Sequence, residues 1–391
     1  MSRTIFFAKF AEIKGEIAMV PYIEKIRINK VLHLENFEIS VSEDAPHLII
    51  TGRNGSGKTI LVNAISDCLD KLRKTGDAAE CADGKASPVQ IAFKDVDKIN
   101  ALYEKGDFVL AFYQAYRKVT MKEPKNPTKP ELNKKATIKD SSTSQFLNFL
   151  SDLKIQEALA KNAGQNDDAA RIQDWFTSFE QLLQEIYNDP ELKLDFNYKD
   201  YSFKISTDGK KFKFTQLSDG FAAAIDIIAD LMLKMQNDKS LTRAYDKPGI
   251  VIIDEIETHL HLALQKDILK ILSKVFPKIQ FIVTTHSPFV LSSLENSTAF
   301  DLVNREEIED LADYSYEALA EGYFGIKMES SYVGVKLNTL KTILSKSELS
   351  ASDIKQAKDI ARDFNEIPEM ISPLYVGEFR QLMIKYAGKL A

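Results

Sequence analysis

Eight consecutive residues carry the clearest chemistry in the sequence: Gly52-Arg53-Asn54-Gly55-Ser56-Gly57-Lys58-Thr59. They match the pattern G-x-x-x-x-G-K-[ST] of a phosphate-binding loop, or P-loop. Glycines let backbone N–H groups close around a polyphosphate, and the following helix N-terminus adds its partial positive charge. The pattern predicts that Arg53 to Thr59 bind a nucleotide. Lys58 would lie between the β- and γ-phosphates, and the Thr59 hydroxyl would bind Mg²⁺.

The residues on either side of this loop predict the strand and helix that it requires. His47 to Ile50 is an apolar run typical of a buried strand. Ile60 to Ile65 predicts the start of a helix that ends near Lys74. An isolated glycine-rich turn would not need these flanks, so we interpret the segment as a strand, phosphate loop and helix.

Two adjacent carboxylates form a second group of candidate residues. Gly249 to Ile253 predicts a buried parallel strand, and Asp254 and Glu255 follow at its carboxyl end. Ligands of open α/β sheets bind at that end. We predict that Asp254 holds Mg²⁺ through water alongside Thr59, and that Glu255 polarises the attacking water.

Three histidines follow these acids. The strand predicted for Gln280 to Thr285 ends at His286, where an imidazole can face the γ-phosphate. We therefore group His286 with Glu255 and Lys58 as catalytic residues. His259 and His261 could form a zinc pair, but no cysteine or third ligand lies within sequence reach. Loop capping or a contact between subunits is the alternative for that pair.

Composition limits the classes of function. The chain has 391 residues, 44% of them hydrophobic, and a formal net charge of −6, so no global basic field attracts nucleic acid. Its two cysteines, Cys68 and Cys81, have no metal-type spacing and are typical of the reducing cytoplasm, where we expect the protein to act. No apolar stretch reaches the length of a membrane span, so we expect no membrane association of its own.

The remaining sequence predicts a domain interrupted by an insertion. Residues 22–41 predict a hairpin with its turn near Leu34-Glu35-Asn36, and residues 192–214 predict another at Asp208-Gly209. Residues 142–188 have helical periodicity, as do three stretches near the C-terminus. The predicted regions are 19–117 and 191–312 for the two halves of one domain, 118–190 for a basic loop and helical insertion, and 313–391 for a helical C-terminal region.

Two segments leave their interpretation open. Arg117 to Lys139 has eight basic residues, two glutamates and three prolines. It is either a phosphate-backbone or partner contact or, as the absence of interleaved aromatic residues favours, a solvated loop. Residues 1–18 are a possible non-native extension, because Lys14-Gly15-Glu16 can encode a ribosome-binding sequence about seven nucleotides before Met19. The alternative is a native N-terminal helix or strand.

Leu217-Ser218-Asp219-Gly220-Phe221 is a further motif, in which Ser218 is predicted to N-cap a helix from Ala222 to about Met235. The P-loop, this Leu-Ser-x-Gly motif, the apolar strand with Asp254-Glu255, and the strand with His286 occur in the order of the ABC-type ATPase superfamily. Asp254 to His261, Phe281 to Pro288, Val109 to Tyr113 with Arg117, and Tyr323-Phe324-Gly325 resemble ATPases of the overcoming-lysogeny-defect group. That group includes ATPase subunits of bacterial anti-phage systems such as Septu, PARIS and Gabija, and is related to SMC heads.

This resemblance, which covers about residues 20–330, implies an α/β P-loop NTPase with a mixed sheet, a helical insertion and a helical C-terminal tail. It implies ATP and Mg²⁺ as cofactors and a head-to-tail homodimer or higher oligomer. In such a dimer Ser218 and Gly220 of one subunit complete the ATP site of the other. It places Gln114 where the family's Q-loop residue meets Mg²⁺ and the attacking water, although Arg117 could be the functional residue instead.

Departures from the family pattern reduce the number of functions that the resemblance allows. Asp219 and Phe221 differ from the transporter signature, and Ile256 stands where proline is common. No long coiled coil separates the P-loop from Ser218, and no TOPRIM-type acid set follows His286. We therefore expect an ATP-hydrolysing regulator or sensor of an anti-phage complex, with a nuclease or toxin supplied in trans. The alternatives are a DNA-repair or chromosome-maintenance ATPase that binds nucleic acid directly and an ATP-binding scaffold with negligible turnover.

Overall fold

The computed structural model describes most of the chain. The described residues are 23–82, 87–117, 121–124, 127, 137–236, 245–308, 311, 314, 316–324, 331–346, 348–366, 373–386 and 389. Residues 1–18, most of the basic segment 117–139 and Gly325 lie outside this set, so the interpretations given for them stay predictions. The chain divides into two compact units, one ending at Leu319 and the other beginning at Ala320.

Strands and helices alternate through most of the first unit. The strands are β1 (Ile23–Val31), β2 (Leu34–Ser40), β3 (His47–Thr51), β4 (Val89–Phe93), β5 (Val109–Tyr113), β6 (Lys193–Asn197), β7 (Ser202–Thr207), β8 (Lys210–Lys213), β9 (Gly249–Ile253), β10 (Ile279–Thr284), β11 (Ser297–Asp301) and β12 (Glu306–Ile308). The helices of the chain are α1 (Lys58–Thr75), α2 (Ala79–Ala82), α3 (Val96–Glu104), α4 (Phe146–Asn162), α5 (Asn166–Tyr187), α6 (Asp219–Lys234), α7 (Leu262–Val275), α8 (Pro288–Leu291), α9 (Tyr316–Phe324), α10 (Ser331–Ser345), α11 (Ala351–Asn365) and α12 (Pro373–Lys385).

A six-stranded mixed sheet forms the centre of the first unit. Its order is β12-β11-β3-β10-β9-β5, and every pair is parallel except β11 with β12. All residues of β3, β5, β9 and β10 are buried, as continuous apolar runs in parallel strands predict. The predicted α/β fold with a mixed sheet is therefore confirmed.

A second, antiparallel sheet has the order β2-β1-β4. The turn between β1 and β2 is Leu32-His33, because Val31 pairs with Leu34. The predicted turn near Leu34-Glu35-Asn36 was therefore wrong. Leu34 is buried in the core, whereas Leu32 is 66% exposed and adopts the left-handed φ of 52° that the tight turn requires. The polar residues Glu35 and Asn36 gave a turn signal, but the burial of Leu34 decides the register.

Helix α1 packs with both sheets in one apolar core. Leu61, Val62 and Ile65 of the helix join residues such as Ile26 from the antiparallel sheet and Ile252 from the mixed sheet in this core. Leu69 and Leu72 continue the same helical face and are fully buried. The helix that begins at the P-loop is thereby fixed against the strands on either side of it.

The predicted helical insertion is α4 and α5, followed by the three-stranded antiparallel sheet β6-β7-β8. Trp175 is its packing centre, with Phe149 and Phe176 edge-on at 5.8 and 5.0 Å and Phe179 stacked at 5.4 Å between ring centroids. The Trp175 indole N–H donates a hydrogen bond to the hydroxyl of Tyr245, so its polar atom is satisfied inside the apolar cluster.

The second unit contains the helices predicted near the C-terminus. Its core includes Leu340 and Leu344 of α10, Phe364 of α11 and Phe379 of α12. The rings of Phe364 and Phe379 stack with centroids 4.9 Å apart. Among the described residues, no helix has the length and apolar character needed to cross a membrane.

Gly249 provides a test of the packing between β5, β9 and β10. A methyl group there would lie 2.3 Å from the carbonyl oxygen of Val109 and 2.9 Å from Ile279. We expect Gly249→Ala to lower the free energy of unfolding by about 1–3 kcal/mol, because the backbones must separate. Urea unfolding followed by circular dichroism measures this change. Gly322→Ala is the control, since Gly322 is helical and a methyl group there meets open space.

Candidate functional site

The order of the mixed sheet brings the predicted site residues to one edge. β10 pairs in parallel with both β3 and β9, so three carboxyl ends lie side by side. The P-loop follows β3, Asp254 and Glu255 follow β9, and His286 follows β10. Residues separated by more than two hundred positions in the sequence are thereby brought within contact of one another.

The backbone of the P-loop has the geometry that a phosphate needs. Gly52, Gly55 and Gly57 have φ values of 137°, 80° and 100°, a region that residues with side chains rarely adopt. A Cβ on Gly57 would meet the His33 ring at 3.2 Å, and the His33 Nε2 atom lies 3.0 Å from the carbonyl oxygen of Ser56. The Ser56 hydroxyl is buried without a partner among the described residues, as expected of a group that faces a ligand.

Lys58 points its ammonium group into the P-loop. Nζ donates to the carbonyl oxygens of Gly52 at 2.7 Å and Arg53 at 3.3 Å, and it lies 3.4 Å from Nδ1 of His286. Burial lowers the pKa of Lys58 to about 8, while Glu255 and its neighbouring carboxylates oppose that shift. Phosphate oxygens would stabilise the charged form of this amine, so the residues fit a polyphosphate.

Thr59 and Asp254 meet as a Mg²⁺ site requires. The Thr59 hydroxyl donates to Oδ1 of Asp254 at 3.3 Å. The Thr284 hydroxyl donates to the same oxygen at 2.6 Å, and it accepts from the Glu255 N–H at 2.7 Å. Within the described residues no cluster of three or more His, Cys, Asp or Glu could hold a metal. One carboxylate and one hydroxyl suit Mg²⁺, which retains waters and uses phosphate oxygens.

Glu255 and His286 face each other beside Lys58. Glu255 has a φ of 45°, and its Oε1 lies 4.0 Å from Nε2 of His286. Burial and the charge of Lys58 lower the pKa of His286, so its neutral form predominates at neutral pH. Because Nδ1 faces the Lys58 donor, we assign the ring proton to Nε2, on the side of Glu255. The left-handed φ of Glu255 is a strained conformation for a residue with a side chain, of the kind found at functional sites.

The Ser218-Gly220 motif lies at the N-terminus of α6. No described hydrogen bond or ion pair joins either residue to the P-loop of the same chain. Ser218 occupies the N-cap position, but its exposed side chain makes no capping hydrogen bond, contrary to the usual role of such a serine. A Cβ on Gly220 would lie 2.5 Å from the carbonyl oxygen of His259, so only glycine allows α6 to approach the segment that follows Glu255.

Gln114 is exposed immediately after β5, and its carbonyl oxygen accepts from Arg117 at 3.3 Å. Its contact with Mg²⁺ stays a prediction. His261 occupies the N-cap position of α7 but makes no side-chain capping hydrogen bond, and its ring centroid lies 5.9 Å from that of Phe221.

Sequence reasoning missed two residues that contact the site. Thr284 is the last residue of β10, and its hydroxyl holds both acids of the Asp254-Glu255 pair. His33 reaches the P-loop from the turn between β1 and β2. The threonine at the carboxyl end of an otherwise apolar strand was a usable signal, whereas nothing local to His33 indicates its neighbour.

The mixed sheet and the P-loop at its edge define an α/β P-loop NTPase. The chain belongs to the family described as "AAA domain, putative AbiEii toxin, Type IV TA system", whose model matches residues 48–292. This confirms the resemblance to ATPases of anti-phage systems.

Several proteins of known name are similar to this chain. Septu protein PtuA of Bacillus mycoides (strain KBAB4) is 27% identical over 74% of this chain and 41% of its own length. The Retron Ec83 probable ATPase of Escherichia coli is 41% identical over 24% of this chain and 18% of its own length. The chain thus spans about two fifths or less of these relatives. A solved SMC head bound to the C-winged helix domain of ScpA covers 72% of this chain and is itself covered to 94%, with 15% identity and a TM-score of 0.40.

Thr284 offers a test of the geometry of the acids. We expect Thr284→Val to lower the rate of ATP turnover by about tenfold or more. Loss of the hydroxyl leaves Oδ1 of Asp254 with only the longer hydrogen bond from Thr59, and it removes the acceptor of the Glu255 N–H. Thr284→Ser keeps the hydroxyl and is expected to stay within about threefold of the wild-type rate. Steady-state phosphate release at several Mg²⁺ concentrations measures both variants. Equal rates for Thr284→Val and the wild type would contradict this role.

Proposed function

We propose that the protein binds and hydrolyses ATP with Mg²⁺ as a regulator or sensor of a bacterial anti-phage complex. In this proposal it acts as a head-to-tail dimer and controls a nuclease or toxin supplied in trans. The observation that carries the ATPase activity is the meeting of Lys58, Thr59, Asp254, Glu255 and His286 at one edge of the sheet. Membership in an AAA ATPase family supports it.

Each of these residues has a task that its position allows. Residues 53–59 cradle the phosphates, and Lys58 neutralises charge between the β- and γ-phosphates. Thr59 and Asp254 would hold Mg²⁺, which when bound would supply positive charge next to the phosphates. Glu255 orients and polarises the attacking water. His286 would donate its Nε2 proton, which lies on the side of Glu255, to the γ-phosphate.

The dimer is supported by the position of the Ser218-Gly220 motif. Ser218 is exposed and its hydroxyl is not used to cap its own helix. The N-terminus of α6 therefore offers a free hydroxyl and backbone N–H groups with a favourable dipole for phosphate. In a head-to-tail dimer that helix end faces the nucleotide of the other subunit, and the ATP site has contributions from both chains.

The defence role is supported by the names of the similar proteins, a Septu PtuA and a retron ATPase. Because the chain spans about two fifths or less of their lengths, activity of the whole protein is part of the proposal. The assignment of the effector to a separate chain is likewise part of the proposal. The alternative of direct nucleic-acid binding depends on the basic segment 117–139, most of which lies outside the described residues.

Glu255→Gln tests the assignment of the catalytic carboxylate. We expect it to retain ATP binding but to lower turnover by about a hundredfold or more, since the amide cannot act as a base. ATP would then stay bound and stabilise the dimer, as size-exclusion chromatography with and without ATP would show. Glu306→Gln, at an exposed position of β12, is the control and is expected to behave like the wild type. Hydrolysis at the wild-type rate by Glu255→Gln would overturn the assignment.

Mixing two inactive variants tests whether the sites are shared. Lys58→Ala removes the phosphate ligand of one chain, and Ser218→Arg blocks the contribution of the other at an exposed position. After subunit exchange at equal amounts, about half of the dimers contain one chain of each variant. Each of these mixed dimers has one intact site and one defective site, so about a quarter of wild-type turnover should return. Nucleotide retention by the mixture provides a second measurement. If neither turnover nor retention exceeds that of the separate variants, sites shared between subunits are contradicted.

A further inference from the structure

Glu257 is a partly buried glutamate two residues beyond Glu255. Both of its oxygens accept hydrogen bonds from the loop that follows β10. Oε1 accepts from the backbone N–H of His286, and Oε2 accepts from the Thr285 hydroxyl at 2.8 Å. Burial raises the pKa of Glu257, while these donated hydrogen bonds oppose the shift.

The hydrogen bonds continue beyond Thr285 and return to the segment that contains Glu257. The Ser287 N–H donates to the Thr285 hydroxyl at 3.0 Å, and the Ser287 hydroxyl donates to Oε1 of Gln265 at 2.7 Å. The Gln265 amide in turn donates to the carbonyl oxygen of Leu260 at 2.8 Å. This series of hydrogen bonds ties the loop after β9 to the loop after β10.

We propose that Glu257 is a positioning residue that fixes the backbone of His286, so that the imidazole stays between Lys58 and Glu255. This inference rests on the proposed ATPase function, because it concerns the geometry of the same site. Glu257 acts through His286 and does not itself contact the reacting atoms.

Two physical arguments favour this role. A side chain whose two oxygens accept from a backbone N–H and from a hydroxyl fixes that backbone in direction as well as in distance. The imidazole of His286 has Lys58 on one side at 3.4 Å and Glu255 on the other at 4.0 Å. A displacement of about 1 Å at such a residue can cost about a hundredfold in rate.

Comparison of Glu257→Ala with Glu257→Gln tests the proposal. Alanine removes both acceptors, and we expect kcat to fall about tenfold or more while nucleotide affinity stays within about threefold. Glutamine can still accept from the His286 N–H and can donate to the Thr285 hydroxyl, so kcat should recover to within about threefold of the wild type. If glutamine is as inactive as alanine, the negative charge itself is required, and the positioning role is overturned.

A double-mutant cycle shows whether Glu257 acts through His286. In a His286→Ala background, Glu257→Ala should lower kcat by no more than about twofold, because the side chain that it positions is already absent. A full additional loss would overturn the inference. A His286→Ala variant with wild-type turnover would instead refute the catalytic assignment of His286, and thus the proposed function, before Glu257 is considered.

A measurement without nucleotide separates positioning from loss of folding. The chain has five histidines, so the NMR spectrum of histidine-labelled protein contains only a few ring signals, which can be followed individually. We expect Glu257→Ala to shift the His286 signal and to leave the signal of His47, buried on β3, unchanged. Shifts at both would indicate general unfolding and contradict a local role, as would an unchanged His286 signal.

Discussion

Parallel pairing of β10 with both β3 and β9 is the constraint on which the candidate site depends. It places the P-loop, the Asp254-Glu255 pair and His286 at neighbouring strand ends. The pairing is stabilised by complete burial of the three strands and by the Thr284 hydroxyl, which joins β10 to Asp254. A shift of one residue in any of these pairings would turn the site residues toward the opposite face of the sheet.

Charge at this edge of the sheet is unbalanced. Asp254, Glu255, Glu257 and Asp301 lie near Lys58, while the lowered pKa of His286 favours the neutral imidazole. The carboxylates by themselves therefore outnumber the cationic group. A divalent cation would add positive charge at this edge, where a bound triphosphate would increase the excess of negative charge.

Motifs and apolar strands could be read from the sequence because each has a local physical cause. The P-loop glycines need positive φ, the strand before Asp254 is buried on both faces, and the Trp175 region has a helical apolar stripe. Contacts between distant segments could not be read in this way. The approach of His33 to Ser56 and the hydrogen bonds of Glu257 depend on how separate loops pack, and no spacing in the sequence encodes that. The prediction placed the turn between β1 and β2 too late in the sequence for the same reason. The burial of Leu34, which sets the turn at Leu32-His33, depends on tertiary packing.

The close approach of Gly220 to the His259 carbonyl has a consequence for communication between sites. Within one chain it joins the end of α6 to the segment that carries Glu255. In a dimer of the proposed kind, that helix end serves the partner's nucleotide and that glutamate serves the chain's own. Release of phosphate at one site would then move α6 together with the segment that follows Glu255, and this packed pair also borders the second site. The conformation of such a dimer, and with it any signal to an effector, would depend on whether both sites hold a nucleotide and not on either site alone.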